Sequence, residues 1–195
     1  FADPLPPEDG GESIARNPDF SVDDNGDGRP DGWNIQASGP QANWARETTE
    51  DGGWAVRMSL PQLDAEGKAS MMLSQADVPM REGQWYRLHV RARAEGPAGL
   101  RVALVINKTD VWRSLFDYQY LYPKPQWRDF VFLVCSKGSA EDKTRLQLWY
   151  TTPGTVWVSQ LRVVPCPPPT EGRWSQGLYL DQPVEMDDPY RFFRW

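Results

Sequence analysis

The sequence predicts an all-β chain, an antiparallel sandwich or barrel, and three observations carry that expectation. Apolar and polar residues alternate over short runs, Gly, Pro and Asp interrupt those runs at close spacing, and no segment sustains a helical period with caps. The 195 residues include 16 Gly and 18 Pro, enough turns to join many strands, and 10 Trp. With 39% hydrophobic and 25% charged residues, the composition is that of an ordered globular protein. The length suits one domain with extensions.

Residues 1–16 are rich in Pro, Gly and acids and read as a mobile lead-in. From Asn17 to Val164 the strand pattern takes over. Short candidates come first, at Trp54 to Leu60 and Ser70 to Gln75. The clearest strand is Gln84 to Ala94, with Tyr86, Leu88, Val90 and Ala92 on one face and Trp85, Arg87, His89, Arg91 and Arg93 on the other. Leu100 to Asn107 points Leu100, Val102, Leu104 and Ile106 inward. Asp129 to Cys135 does the same with Phe130, Phe132 and Val134. Thr144 to Tyr150 buries Leu146, Leu148 and Tyr150 and turns Arg145, Gln147 and Trp149 outward, and Val156 to Val163 follows. The run Pro165-Cys166-Pro167-Pro168-Pro169 then marks a boundary, because proline cannot donate to a ladder. Residues 165–195 form a Pro-rich linker and a tail whose aromatics, from Trp174 to Trp195, are suited to packing on the sandwich or docking on a neighbour.

Several function classes drop out early. A net charge of -6 argues against general nucleic-acid binding, which depends on neutralised phosphates. One His and two Cys exclude a multi-His zinc centre and any Cys-rich cluster. No apolar run reaches the length of a bilayer span. The chain begins at Phe1 with no Met, which suits a processed export product or an excised fragment. In a secreted chain Cys135 and Cys166 could close a disulfide; the alternative is a buried free thiol at Cys135.

The sharpest local motif runs from Asp23 to Trp33. Asp23, Asn25 and Asp27 place oxygens at every second position, Gly28 permits a sharp turn, the Arg29 carbonyl adds an acceptor, and Asp31 closes the loop. Six to eight hard oxygens on a flexible loop is what Ca²⁺ takes, so a structural calcium ion is expected here. The competing reading is a set of Asx turns without an ion. Catalysis is not expected. His89 is the lone imidazole, the acids fall mainly in turns and the tail, and no phosphate-cradling glycine loop is present.

Aromatic residues on exposed faces are the remaining signal. Sugar rings stack their C–H faces on Trp and Tyr while amides and arginines bond the hydroxyls. Trp112, Tyr118 and Tyr120 in the segment from Val111 to Tyr122, with Gln147 and Trp149 on one outward face, are the expected contacts, and Arg87 and His89 are placed beside them.

These motifs in this order resemble the CenC-like jelly-roll carbohydrate-binding modules, which have a galactose-binding-domain-like β-sandwich. The resemblance spans about residues 17–164. It rests on Asn17-Pro18-Asp19-Phe20, the glycine-aspartate loop ending at Trp33, Gly83-Gln84-Trp85-Tyr86-Arg87-Leu88 with Ala92-Arg93-Ala94, Gln126-Trp127 before Phe130 and Phe132, and Thr155 to Leu161. It departs from the family where Ser21 and the pair Ser159 and Gln160 replace acids that commonly serve a structural calcium. The resemblance implies a secreted, non-catalytic two-sheet sandwich that binds polysaccharide. The rival expectation is an assembly subunit of an extracellular complex or filament, using residues 174–195 to dock on a protein neighbour.

Overall fold

The computed structural model describes residues 11–168 together with the short strands Trp174–Ser175 and Leu178–Tyr179. The rest of the expected aromatic tail lies outside the described residues. Two antiparallel sheets face each other, and no helix occurs among the described residues. The first sheet orders β1 (Asn34–Ser38), β4 (Ser70–Ala76), β10 (Thr144–Tyr150) and β6 (Val102–Lys108) side by side. The short strands β7 (Arg113–Ser114) and β8 (Gln119–Leu121) both pair with the far edge of β6. The second sheet orders β2 (Asn43–Thr48), β3 (Trp54–Leu60), β11 (Gly154–Cys166), β5 (Trp85–Glu95) and β9 (Arg128–Cys135).

Between the sheets the alternate residues interdigitate as the period-two pattern requires. Met71, Leu73, Leu104, Ile106, Leu146, Leu148 and Tyr150 from the first sheet meet Val56, Met58, Leu88, Val90, Val156 and Val163 from the second, all buried in one cluster. Tyr150 carries its hydroxyl into this core and donates to the Met58 carbonyl at 2.7 Å, so its polar atom is satisfied where it is buried. Burial raises the Tyr150 pKa far above the usual phenol value. Gly154 opens β11 at φ 155°, and a Cβ there would stand 2.5 Å from Leu100 Cδ1, so no other residue fits without movement.

Residues 11–16, expected as mobile lead-in, are docked. The Ile14 amide donates to the Val163 carbonyl, and Ala15 is buried in the core. The Gln75 carboxamide accepts from the Arg16 amide and donates to the Arg16 carbonyl. The cause lies in β11. It pairs with β3 only through Val158, shifts register there, and continues alone on that side. Residues 13–18 fill the vacated edge. The same vacancy explains why Pro165, taken as a boundary, instead stays in β11 opposite Tyr86 and the strand runs on to Cys166.

The disulfide alternative is excluded by topology. Cys135 on β9 and Cys166 on β11 both align with Trp85 of β5, from opposite sides. Two strand spacings put their Cα atoms roughly 10 Å apart, beyond the ~6.8 Å limit for a bridge. The two thiols stay separate, each half-buried.

Candidate functional site

The outward face of the first sheet assembles from three register rows. One runs Gln36, Met72, Trp149, Ala103, Tyr120 across β1, β4, β10, β6 and β8. The next runs Asn34, Ser74, Gln147, Val105, and the third Ala76, Arg145, Asn107, Ser114. Small and amide side chains occupy the middle of these rows: Ala103, Val105, Ser74, Asn107 and Gln147 are all buried although they point away from the core. Rings stand higher, Trp149 at the middle of the first row and Tyr120 at its end. Trp149 is half-buried, and Tyr118, Tyr120 and Trp112 are exposed. Together they make a shallow trough with a flat floor and aromatic walls.

Hydrogen bonds fix the floor. The Ser114 hydroxyl donates to Asn107 Oδ1 at 2.9 Å, Asn107 Nδ2 donates to Gln147 Oε1 at 2.7 Å, and Gln147 Nε2 reaches Met72 Sδ at 3.0 Å. This relay crosses four strands and orients both amides. Sulfur is a weak acceptor, so the two N–H groups of Gln147 Nε2 remain available as donors on the floor.

The walls are held as well. Tyr118 and Tyr120 stack with centroids 6.4 Å apart. The Arg101 guanidinium lies 4.9 Å from the Tyr120 ring and that of Arg145 lies 5.6 Å from Trp112. Trp112 adopts φ 47° at the tip of the β6–β7 connection, a strained backbone that holds a large apolar ring out in water.

Of the residues expected to touch sugar, the structure brings Trp112, Tyr118, Tyr120, Gln147 and Trp149 to this one face, and Asn107 with them. Arg87 and His89 are not among them. Both project from β5 on the outer face of the second sheet, across the full thickness of the sandwich. His89 Nε2 contacts Asp129 Oδ1 at 2.8 Å, and Arg91 pairs with the same carboxylate. Alternation within a strand separates two faces but does not say which sheet the strand joins. The floor residues Ser74, Gln36 and Asn34 escaped the sequence reading because they are small or amide side chains without a ring, and the pairing of β1 and β4 with β10 that lines them up is a long-range contact.

The Asp23–Asp31 loop is built from Asx turns. Asp27 Oδ1 accepts from the Arg29 amide, Asn25 Oδ1 from the Asp27 amide, Asp31 Oδ2 from the Asp24 amide, and Asp23 Oδ2 from the Gly28 amide. No group of three or more His, Cys, Asp or Glu side chains gathers around a common point among the described residues. One oxygen is left over: Asp23 Oδ1 is buried and has no hydrogen-bond partner. The other oxygen of that carboxylate pairs with Arg46 at 3.4 Å.

A second cleft, of about 660 Å³, opens at the edge of the second sheet between Trp54, Trp127, Arg91, Asp51 and Ser159. It has two rings and one amide, Gln160, and the Ser159 hydroxyl beside the β11 bulge is buried without a partner.

No protein-family profile matches this sequence, and no curated protein matches it significantly. Solved structures do match. TmCBM61 in complex with β-1,4-galactotriose superposes with a TM-score of 0.54 at 14% identity, over 79% of this chain and 99% of its own. A CBM4 module gives 0.55 at 20% identity, over 78% and 99%. The CBM22-1 xylan-binding domain of Paenibacillus barcinonensis Xyn10C gives 0.52 at 10% identity, over 80% and 95%. The enzymatically active domain of bacteriophage CBA120 tailspike protein 4 shares the fold over 70% of this chain but only 20% of its own, at 10% identity. The two facing sheets thus share the jelly-roll sandwich fold of these solved modules. At these identities the likeness establishes the fold, and the site must speak for the ligand.

Proposed function

We propose that this chain binds polysaccharide on the outward face of the first sheet and does not cleave it. The observation that carries the reading is the trough itself: a buried floor of oriented amides and small residues between Trp149 on one side and Tyr118, Tyr120 and Trp112 on the other. Rings supply flat apolar contact to sugar faces, and the amides fix hydroxyl orientation. Solved neighbours that hold β-1,4-galactotriose or bind xylan support a glycan chain as the ligand class.

Non-catalytic binding is supported by chemistry that is missing from the three rows. Glycoside hydrolysis takes a pair of carboxyl groups across the scissile bond, and none of the residues in these rows is an acid. The one imidazole lies on the opposite sheet. An extracellular setting belongs to the same proposal, since that is where polysaccharide is met. No helix among the described residues is long and apolar enough to cross a membrane.

Calorimetry or affinity electrophoresis against a panel of neutral and acidic polysaccharides tests the reading. Binding to at least one, with the bound glycan recovered intact, is the expected result. Failure to bind any of them removes it.

A structural calcium ion on the loop of Asp23, Asn25, Asp27, Arg29 and Asp31 is part of the proposal. Its support is the ligand spacing and the buried, unpartnered Asp23 Oδ1. Binding would exchange the Asx-turn hydrogen bonds for ligation, so only the net difference shows as stability. Millimolar calcium should raise the melting temperature by a few degrees over excess chelator, at ~2–4 °C per kcal/mol for a chain of this size. Coincident melting curves would leave Arg46 as the cation that serves Asp23.

A further inference from the structure

The trough has an uncharged floor and a cation at each end. Among the residues of its three rows, Arg145 is the one charged side chain. Arg101 stands just before β6, and its guanidinium lies against the Tyr120 ring of the first row. Arg145 pairs in register with Asn107, so along β6 the two arginines are separated by roughly 20 Å of strand. Acids near the exposed rings are already neutralised: Asp110 pairs with Lys108 at 3.6 Å and Asp117 with Lys137 at 2.5 Å. On the second sheet Arg57, Arg91 and Arg93 each hold a carboxylate, at 2.6, 3.3 and 3.1 Å. The two trough arginines do not. Their guanidinium groups touch the Tyr120 and Trp112 rings and make no hydrogen bond or ion pair among the described residues.

We infer that the ligand of the trough is an acidic polysaccharide whose sugars carry carboxylates, as uronic acids do. This rests on the trough being the glycan site and names the class of glycan it takes. A guanidinium keeps its charge at any working pH, and its planar fork of N–H groups matches a carboxylate in two parallel hydrogen bonds. Contact with a ring leaves the N–H groups in the guanidinium plane free and limits the side chain's motion, so less freedom is lost when an anion arrives. A neutral chain laid over the same face would cover two cations without returning a counter-charge, which costs hydration. The net charge of -6 does not oppose the match, because salt screens exposed charges beyond about 8 Å and the charges beside the ligand decide. Sugar faces then rest on Trp149, hydroxyls meet the Gln147 amide, and carboxylates reach Arg101 and Arg145 at the two ends.

The test compares glucuronoxylan, polygalacturonate and alginate with the same polymers after their carboxyl groups are reduced to primary alcohols, by calorimetry on the full chain. At least one native polymer should bind about tenfold or more tightly than its reduced form. That ratio should narrow as salt rises. The double substitution Arg101→Gln and Arg145→Gln should bind the two forms alike. Its melting temperature should match the wild type, since neither guanidinium holds a hydrogen bond or ion pair among the described residues. A wild-type protein that binds native and reduced forms alike, or binds only neutral xylan, galactan or β-glucan, overturns the inference and leaves polysaccharide binding standing. A carboxylate preference that survives the double substitution overturns it too, because the acids are then met elsewhere. So does a sulfated galactan bound more tightly than every uronate polymer, which would assign the arginines to sulfate. Failure to bind any polymer removes both the inference and the function it rests on.

Discussion

Trp149→Ala is expected to lower affinity for the bound polysaccharide by roughly 30-fold or more, the ~2 kcal/mol that truncating a central aromatic anchor removes. Trp149 stands at the middle of the trough's longest row, in register between Met72 and Ala103, with Tyr120 one strand further on. Ala103 is the small residue that keeps the space between the two rings low. A sugar lying across it stacks on Trp149 and meets the Gln147 amide from the next row. The substitution should leave the fold intact, because the backbone of β10 is paired on both sides and the ring is not in the core cluster. Gln147→Ala should cost less, about tenfold, since it removes hydrogen bonds and not contact area. It also unties Asn107, so its effect should appear mainly as lost selectivity between glycans that differ in hydroxyl orientation. His89→Gln, on the far sheet, is the control and should bind as the wild type does. Calorimetry on the three variants with one glycan decides the matter. Equal affinities for Trp149→Ala and wild type would remove this face as the site.

The split between Trp149 and His89 shows how far the sequence could lead. Strand β5 was legible to within a residue, because Tyr86, Leu88, Val90 and Ala92 alternate strictly with polar neighbours along its eleven residues. Strand β10 was legible for the same reason. Both patterns announce an outward face, and nothing in either says that the two faces lie on opposite sides of the sandwich. That information resides in which strands pair, which is settled by long-range contacts and not by local period. Strands β1 and β2 were missed because they are short edge strands: β1 alternates over only five residues with Ile35 alone buried, and β2 carries Arg46 on its inward face. The docking of residues 13–18 was hidden in a single irregularity, the β11 bulge at Ser159, which frees an edge for them. Aromatic content singled out the segment from Val111 to Tyr122, and rings as exposed as Trp112 and Tyr118 have no role in a core.

The largest effect on stability should come from Arg46. It lies on β2 opposite Val56, on the side facing the core, with a side chain only 10% exposed. Its Nε donates to the Phe20 carbonyl at 2.7 Å, one Nη donates to the Ser21 carbonyl and the other pairs with Asp23, while the guanidinium plane rests 3.6 Å from the Trp54 ring. The loop it holds is strained. Asn17 and Phe20 both adopt left-handed backbone, at φ 47° and 60°, a cost that surrounding contacts must offset. Phe20 is fully buried edge-on against Trp33, whose indole nitrogen donates to the Asn17 carbonyl. Arg46→Ala takes away three donors at once and strands the Asp23 carboxylate, itself 10% exposed, without its cation. Breaking a buried pair from one side costs about 3–5 kcal/mol, a fall of roughly 10 °C in melting temperature at this size. Arg46→Lys should recover only part, because a single ammonium cannot reach two carbonyls and a carboxylate while lying flat on a ring. A double-mutant cycle with Asp23→Asn separates the ion pair from the carbonyl bonds. If the pair matters, the cycle leaves a coupling of about 1 kcal/mol or more. If the guanidinium serves chiefly to pin the Phe20 and Ser21 carbonyls, coupling is near zero and Arg46→Ala is as damaging in the Asp23→Asn background as in the wild type. An Arg46→Ala protein that melts with the wild type would show that the strained loop is held by Phe20 and Trp33 alone.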